Sequence, residues 1–155
     1  MRKLIFLLLG SMMFVAALQA QSLPYSANYS SNFKMATHDL SSMVLQLYKA
    51  YETNDFSKED WFADTLMVVL DNGQVLTGKA TALQAFKDAR QNDGDTKFVF
   101  DAIIPLTSVD RKENWVSLWG NTTTSRGKTE FQAIWKINSQ KKVAFIKFFQ
   151  AAATQ

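Results

Sequence analysis

Few side chains in this sequence can perform chemistry. Among its 155 residues there is no cysteine, and His38 is the single histidine. The lack of cysteine excludes thiolate zinc sites, iron–sulfur clusters and thiol catalysis, and one histidine excludes metal sites built from several imidazoles. The sequence also contains no Gly-rich phosphate loop, nucleophile elbow or acidic metal cluster. We therefore predict a protein that uses no metal ion and no other cofactor.

One carboxylate lies in an unusual place. Asp101 falls within residues 98–104, a run that is otherwise entirely apolar. A carboxylate buried there without a partner would be costly or would stay protonated, so it must reach solvent, a partner or a ligand. Because strand side chains alternate between faces, Asp101 is expected to share a face with Val99 and Ile103. Two interpretations stay open: an outward position in solvent, or a general base in a cavity.

Residues 1–20 have the pattern of an export signal peptide. Arg2 and Lys3 precede fifteen mostly apolar residues, and small side chains follow. A run of that length falls short of the roughly 20 residues that cross a bilayer. Cleavage after Ala20, with Ala17 as second choice, would leave 135 residues and lower the net charge from +3 to +1. We predict an exported bacterial protein, periplasmic or extracellular, with no nucleic-acid or membrane partner.

Apolar periodicity predicts the elements that position these side chains. A flexible arm is expected at 21–33, one domain at 34–150 and a short tail at 151–155. Helix 1 is predicted from apolar residues at helical spacing, which are Leu40, Met43, Val44, Leu47, Tyr48 and Tyr51. A short second helix is expected to begin at Ser57 with a capping box, and a third to cover 79–91.

Five runs have the composition of strands. They are residues 65–71, 97–109, 114–123, 129–138 and 142–150. Short polar turns separate the last four, which predicts an antiparallel meander, and Pro105 indicates a bulge or a sheet edge. The expected class is α+β, with three N-terminal helices packed on a curved antiparallel sheet. Both faces of the last strands are apolar, so we also predict a homodimer through the sheet.

The order of these elements resembles the nuclear transport factor 2-like superfamily, which includes SnoaL-like polyketide cyclases and ketosteroid isomerases. The residues that carry the resemblance are 51–55, 61–64, 73–86, 131–137 and 143–145. It spans about residues 34–149. The resemblance implies a cone-shaped, cystatin-like α+β barrel with a pocket between the helices and the sheet, and dimers through the sheet.

The resemblance also implies where a site would lie. Ketosteroid isomerases place a tyrosine on helix 1, a carboxylate base at the end of the first strand and an acid on a later strand. Aligned without gaps, these positions fall on Leu47, Leu70 and Ala133. Tyr48 and Asp71 stand beside two of them. The residues expected to line the pocket are Leu47, Tyr48, Tyr51, Trp61, Leu70, Phe86, Trp115, Trp119, Ala133 and Trp135.

Three functions are compatible with this pattern. The first is a non-catalytic domain that binds a small apolar molecule in the cone, or an accessory module, because the positions of the enzymes' acid–base groups are apolar here. The second is a cofactor-independent isomerase or lyase that uses Asp101 or Asp71 as base and Tyr48 or Tyr51 as donor. The third is a structural dimer whose cone is filled by side chains.

Overall fold

A computed structural model describes residues 29–30 and 32–150. The predicted signal peptide, most of the arm and the tail lie outside these residues. The described part contains two α-helices, α1 (His38–Glu52) and α2 (Lys79–Asp93). Helix α1 buries the predicted stripe through Val44, Leu47 and Tyr48. No helix in this part of the chain is long and apolar enough to cross a membrane.

The short second helix predicted from Ser57 is not formed. A single 3-10 turn occupies Glu59–Trp61 instead. The Ser57 N–H donates to Oδ1 of Asp55 at 2.9 Å, and the next strand already begins at Phe62. The few residues between Ser57 and Phe62 form too few helical hydrogen bonds to offset the free-energy cost of nucleating an α-helix. The described residues therefore contain two helices where the sequence predicted three.

Seven strands form one sheet in the order β1-β4-β5-β6-β7-β2-β3. Their bounds are β1 Phe33–Met35, β2 Phe62–Val69, β3 Val75–Thr77, β4 Lys97–Ser108, β5 Glu113–Thr124, β6 Gly127–Ile137 and β7 Val143–Gln150. The meander β4–β7 matches the prediction closely. The sheet is not wholly antiparallel, because β2 and β7 run parallel. After β2 the chain passes through β3, α2 and strands β4–β6. Strand β7 then lies beside β2 and runs in the same direction. Strands β1 and β3 are too short to show an alternating pattern in sequence.

A β-bulge at Asp101 bends strand β4. The register with β5 shifts between Phe100 and Ala102, so Asp101 is the extra residue. Opposite it, Gly120 has no room for a side chain, since a Cβ there would lie 2.0 Å from the carbonyl oxygen of Val99. The bulge breaks the expected alternation. Ile103 pairs with the fully buried Leu118 and packs on the core, so Asp101 does not share its face.

Pro105 lies at a local edge of the sheet. Its carbonyl accepts the Ala36 N–H at 3.0 Å, and the pairing of β1 with β4 ends at Met35 and Leu106. The proline has no N–H to return to the Ala36 carbonyl, so this pair keeps one hydrogen bond of two and the β1–β4 ladder ends there. The predicted edge fits this position, whereas the bulge lies four residues earlier.

The C-terminal end of α1 is tied to the sheet and to α2. Glu52 accepts the Phe98 N–H at 2.8 Å and pairs with Lys49 at 2.7 Å. Arg90 of α2 donates to the carbonyls of Tyr51 at 2.8 Å and Glu52 at 3.0 Å, and also to that of Gly94. The carbonyls of Tyr51 and Glu52 lie in the last turn of α1, where the helix itself supplies no N–H four residues on, so the guanidinium adds a charged donor at the negative end of the helix dipole.

The core lies between the helices and one face of the sheet. Val44, Leu66, Leu118 and Ile146 are fully buried there. The opposite face, here called the outer face, carries apolar side chains that remain exposed, among them Met67, Trp119 and Phe149 at 38–41%. A one-sided sheet normally presents polar residues to water. The outer face is therefore the surface through which the predicted homodimer would form.

The dimer stays a prediction that sedimentation velocity can test. At micromolar concentration we expect a species of twice the chain's mass, because association removes the outer-face side chains from water. Trp119→Lys should shift the protein to monomer, since a charge would then be buried in the contact. The control is Gln84→Lys, on the exposed side of α2. A wild-type protein that sediments only as a monomer would contradict the prediction.

Acid should weaken the connection made by Glu52. Burial raises the pKa of this carboxyl, but hydrogen bonds from Lys49 and the Phe98 N–H, with the charges of Lys49 and Lys97, outweigh it and lower the pKa below 4.5. A lowered pKa in the folded state contributes stability above pH 4.5 that disappears as the pH falls through the folded value.

We expect the free energy of unfolding of Glu52→Gln to fall less between pH 5 and pH 3 than that of the wild type, because the variant has no carboxylate to protonate. Urea denaturation at several pH values measures this. Glu130→Gln, at an exposed position of β6, should keep the wild-type pH dependence. Equal slopes for wild type and Glu52→Gln would show that the carboxylate contributes nothing.

Candidate ligand-binding site

A cavity of about 320 Å³ lies between the two helices and the inner face of the sheet. The apolar residues that line it are Leu47, Tyr48, Ala50, Tyr51, Phe56, Phe62, Leu70, Leu83, Phe86, Ala89, Phe98, Phe131, Trp135 and Phe148. Its volume falls at the lower end of small-molecule sites, and such a lining is typical of them. The cone is therefore not filled by its own side chains.

The inner end of the cavity is aromatic. The ring of Tyr48 lies 4.8 Å from that of Phe98, 5.9 Å from Phe131 and 5.4 Å from Trp135. Trp135 in turn contacts Phe148 at 6.4 Å between ring centres. The rings of Phe98, Phe131, Trp135 and Phe148 belong to strands β4, β6 and β7. They occupy the alternate positions of each strand whose side chains point towards the helices. The result is a rigid apolar wall that also holds α1 on the sheet.

Two polar atoms in this wall are buried and have no hydrogen-bond partner among the described residues other than each other. They are Oη of Tyr48 and Nε1 of Trp135. Tyr48 is 7% exposed and Trp135 is 5% exposed. Burial raises the pKa of Tyr48 well above its usual value, and the neighbouring Trp135 N–H opposes this more weakly. The phenol therefore stays protonated at physiological pH and keeps its proton for donation.

The mouth of the cavity carries the charged groups. Oη of Tyr51 donates to Oδ2 of Asp93 at 3.1 Å, and Arg126 pairs with the other carboxylate oxygen. Burial, followed by the charge and the hydrogen bond of Asp93, raises the pKa of Tyr51, while Arg90 and Arg126 lower it by less. The cluster connects α1, the end of α2 and the turn between β5 and β6. Further charged lining residues are Asp55, Lys58, Glu59 and Asp71.

The structure brings six of the ten expected pocket residues to this cavity. They are Leu47, Tyr48, Tyr51, Leu70, Phe86 and Trp135. Sequence analysis missed most of the aromatic wall, namely Phe98, Phe131 and Phe148, and the mouth residues Asp93 and Arg126. The alternation of aromatic residues in the last strands was the available signal. Its use required knowledge of which sheet face is the inner one.

The other four expected residues lie elsewhere. Trp115 and Trp119 point to the outer face, because Val116 and Leu118 between them point to the core. Trp115 packs against Tyr29 at 5.5 Å between ring centres. Ala133 is fully buried in the core beneath longer side chains. Trp61 is the last residue of the 3-10 turn and lines a separate groove beside α1.

The two carboxylates proposed as bases are separated by the fold. Asp101 is exposed at the bulge and does not line the cavity. Asp71 does line it, at the rim, where its carboxylate accepts the Asn72 N–H at 2.9 Å. Of the acid–base candidates from the sequence, Tyr48, Tyr51 and Asp71 therefore share one cavity. The described residues contain no group of three side chains that could hold a metal ion.

No protein-family model matches this chain, and no curated protein matches it. Solved structures do match. A candidate ketosteroid isomerase from Kribbella flavida is 12% identical with a TM-score of 0.61, and the match covers 78% of this chain and 84% of that one. A SnoaL-like protein from Burkholderia thailandensis is 12% identical with a TM-score of 0.60, over 77% of this chain and 100% of that one.

The orange carotenoid protein of Anabaena (Nostoc), whose structure binds canthaxanthin, is also similar. It is 15% identical with a TM-score of 0.63, and the match covers 85% of this chain and 42% of that longer protein. At such identities the likeness establishes the fold and not the chemistry. The described chain has the nuclear transport factor 2-like fold, the α+β fold of SnoaL-like proteins and ketosteroid isomerases, as the sequence resemblance implied.

Proposed function

We propose that this protein binds a small, mostly apolar molecule in the cavity between the helices and the sheet. The observation that carries the proposal is the cavity itself, with about 320 Å³ of space walled by aromatic and aliphatic side chains. Removing apolar ligand surface from water into such a site is favourable at roughly 25 cal/mol per Å². The Anabaena orange carotenoid protein, 42% of which this fold matches, binds canthaxanthin, and this supports an apolar ligand for the present chain.

The natural ligand can be sought directly. The full chain is expressed in a bacterial host and recovered from the periplasmic or culture fraction, where the signal-peptide pattern predicts it. Mass spectrometry of the intact complex, followed by solvent extraction, identifies molecules that purify with it. We expect a neutral compound of low polarity.

Filling the cavity should weaken binding without unfolding the protein. Ala89 of α2 lines the cavity, whereas Ala80 of the same helix is exposed. We expect Ala89→Trp to weaken binding of the apolar fluorophore N-phenyl-1-naphthylamine at least about tenfold, which corresponds to roughly 1.4 kcal/mol. Ala80→Trp should bind as the wild type does. Circular dichroism checks that both variants are folded.

Equal affinity of the two variants would show that the fluorophore binds outside the cavity. Absence of fluorophore binding to the wild type, together with the absence of any extracted molecule, would contradict the proposed function.

A cofactor-independent isomerase or lyase is the second candidate. The observation in its favour is that Asp71 reaches the cavity that Tyr48 and Tyr51 also line. A β,γ-unsaturated ketone is a suitable probe, because its isomerisation creates a conjugated absorption. If Asp71 is the general base, Asp71→Asn should lower turnover by about 10²-fold or more. Asp101→Asn, outside the cavity, should leave turnover unchanged. If Asp71→Asn turns the ketone over as fast as the wild type does, Asp71 is not the general base.

A further inference from the structure

The residues just before β1 cross onto the outer face of the sheet. The Asn32 carbonyl accepts the Val109 N–H at 2.9 Å, next to the end of β4. Three residues earlier, the ring of Tyr29 packs against that of Trp115 on β5, with ring centres 5.5 Å apart. Towards its N-terminus the chain therefore moves from one strand to the next, across the sheet.

The turn between β4 and β5 holds Tyr29 in this position. The guanidinium of Arg111 lies 4.2 Å from the centre of the Tyr29 ring, and its Nε donates to the Tyr29 carbonyl at 2.8 Å. Beside it, Oγ of Ser30 donates to Oδ1 of Asp110 at 2.6 Å. A cation over an aromatic face and hydrogen bonds to charged groups are among the stronger surface contacts. They fix the point from which residues 22–28 extend.

A row of side chains crosses the outer face from this point. Trp115 pairs in register with Lys136, Lys136 with Phe145, and Phe145 with Met67, on strands β5, β6, β7 and β2. The Trp115 and Phe145 ring centres are 6.3 Å apart. Here these four residues are called the outer row. Tyr29 packs on one end of it, and Met67 at the other end is 41% exposed.

The sequence before Tyr29 has the alternation that such a surface requires. In an extended chain every second side chain points to the same side. The positions that share the side of Tyr29 hold Leu23, Tyr25 and Ala27. The positions on the other side hold Ser22, Pro24, Ser26 and Asn28. One side is therefore apolar and the other mostly polar, and a proline is compatible with an extended backbone.

The reach of this segment equals the length of the outer row. Neighbouring strands lie about 4.8 Å apart, so the three steps from Trp115 to Met67 span about 14 Å. An extended chain advances about 3.3 Å per residue, so Tyr25 reaches about 13 Å from Tyr29. Tyr25 can therefore contact Met67, and the small Ala27 can lie over the row between them.

We propose that residues 22–28 of this chain dock in extended conformation along the outer row, with Leu23, Tyr25 and Ala27 facing the sheet. Docking removes apolar side chains of both surfaces from water. The segment crosses the strands and does not extend a sheet edge, so side-chain contacts and not a backbone ladder hold it. This surface is separate from the ligand cavity, which lies on the inner face.

The docked segment leaves the rest of the outer face free. Trp119 pairs in register with Gln132, and Gln132 with Phe149, which makes a second row four residues further along β5. About 13 Å separates the two rows. The second row therefore stays available for the predicted homodimer.

Engineered cysteine pairs test the docking, because the chain has no cysteine of its own. Tyr25→Cys is combined with Met67→Cys in the full chain, and disulfide formation under mild oxidation is followed on non-reducing gels. The matched control combines Tyr25→Cys with Gln132→Cys. Met67 and Gln132 are both exposed on the outer face, each about 14 Å from Trp115, one across the strands and the other mainly along them. We expect the Met67 pair to close within one chain at least about tenfold faster than the control pair.

Loss of the anchor should remove this preference. Adding Tyr29→Ser should lower the closure rate of the Met67 pair to about that of the Gln132 pair, and circular dichroism checks that the sheet is intact. Equal rates for the two pairs with Tyr29 present would show that the segment does not dock on the outer row, and the proposal would be wrong. A disulfide that joins two chains would also overturn it, because a second copy would then occupy the row.

Discussion

Tyr48 holds helix α1 against the sheet, and the cavity depends on this contact. Its ring packs against Phe98, Phe100, Phe131 and Trp135, with ring centres 4.8–5.9 Å apart. Such aromatic pairs contribute about 0.5–1.5 kcal/mol each beyond the burial of their area. Because large rigid rings cannot collapse together as aliphatic chains do, this contact fixes the helix while leaving space beside it. The same burial strips water from the Tyr48 hydroxyl and the Trp135 N–H.

Polar and apolar groups are segregated along the cavity. The inner end is made by strands and a helix packed on the core, where charge is costly. The mouth is made by the ends of α1 and α2 and by a turn, where Asp93 and Arg126 remain near water. Arg90 and Glu52 connect these ends to each other and to β4. The residues at the mouth of the cavity and the residues that connect the helices to the sheet are therefore different members of the same helix ends.

Much of the fold was predictable, because turn residues and the spacing of apolar residues determine the helices and strands within one segment. Polar turns and alternating apolar residues placed the four meander strands nearly at their observed bounds, and apolar spacing placed α1. The short helix at Ser57 was mispredicted because a capping pattern does not reveal that a strand begins five residues later. Strands β1 and β3 were missed, since three residues cannot display an alternation. Trp115 and Trp119 were wrongly assigned to the pocket, and Asp101 was wrongly given the face of Ile103, because a face is defined only relative to neighbouring strands.

The sequence by itself determined the α+β class, the order of the main elements, the resemblance to the nuclear transport factor 2-like fold and the scarcity of reactive side chains. Those properties follow from residue type and from spacing within one segment. Only the tertiary structure decided that Asp71 reaches the cavity and Asp101 does not, and that Tyr48 and Trp135 meet. The bulge opposite Gly120 and the curvature of the sheet set these positions. Both features depend on how strands distant in sequence pair, and local residue patterns do not reveal that pairing.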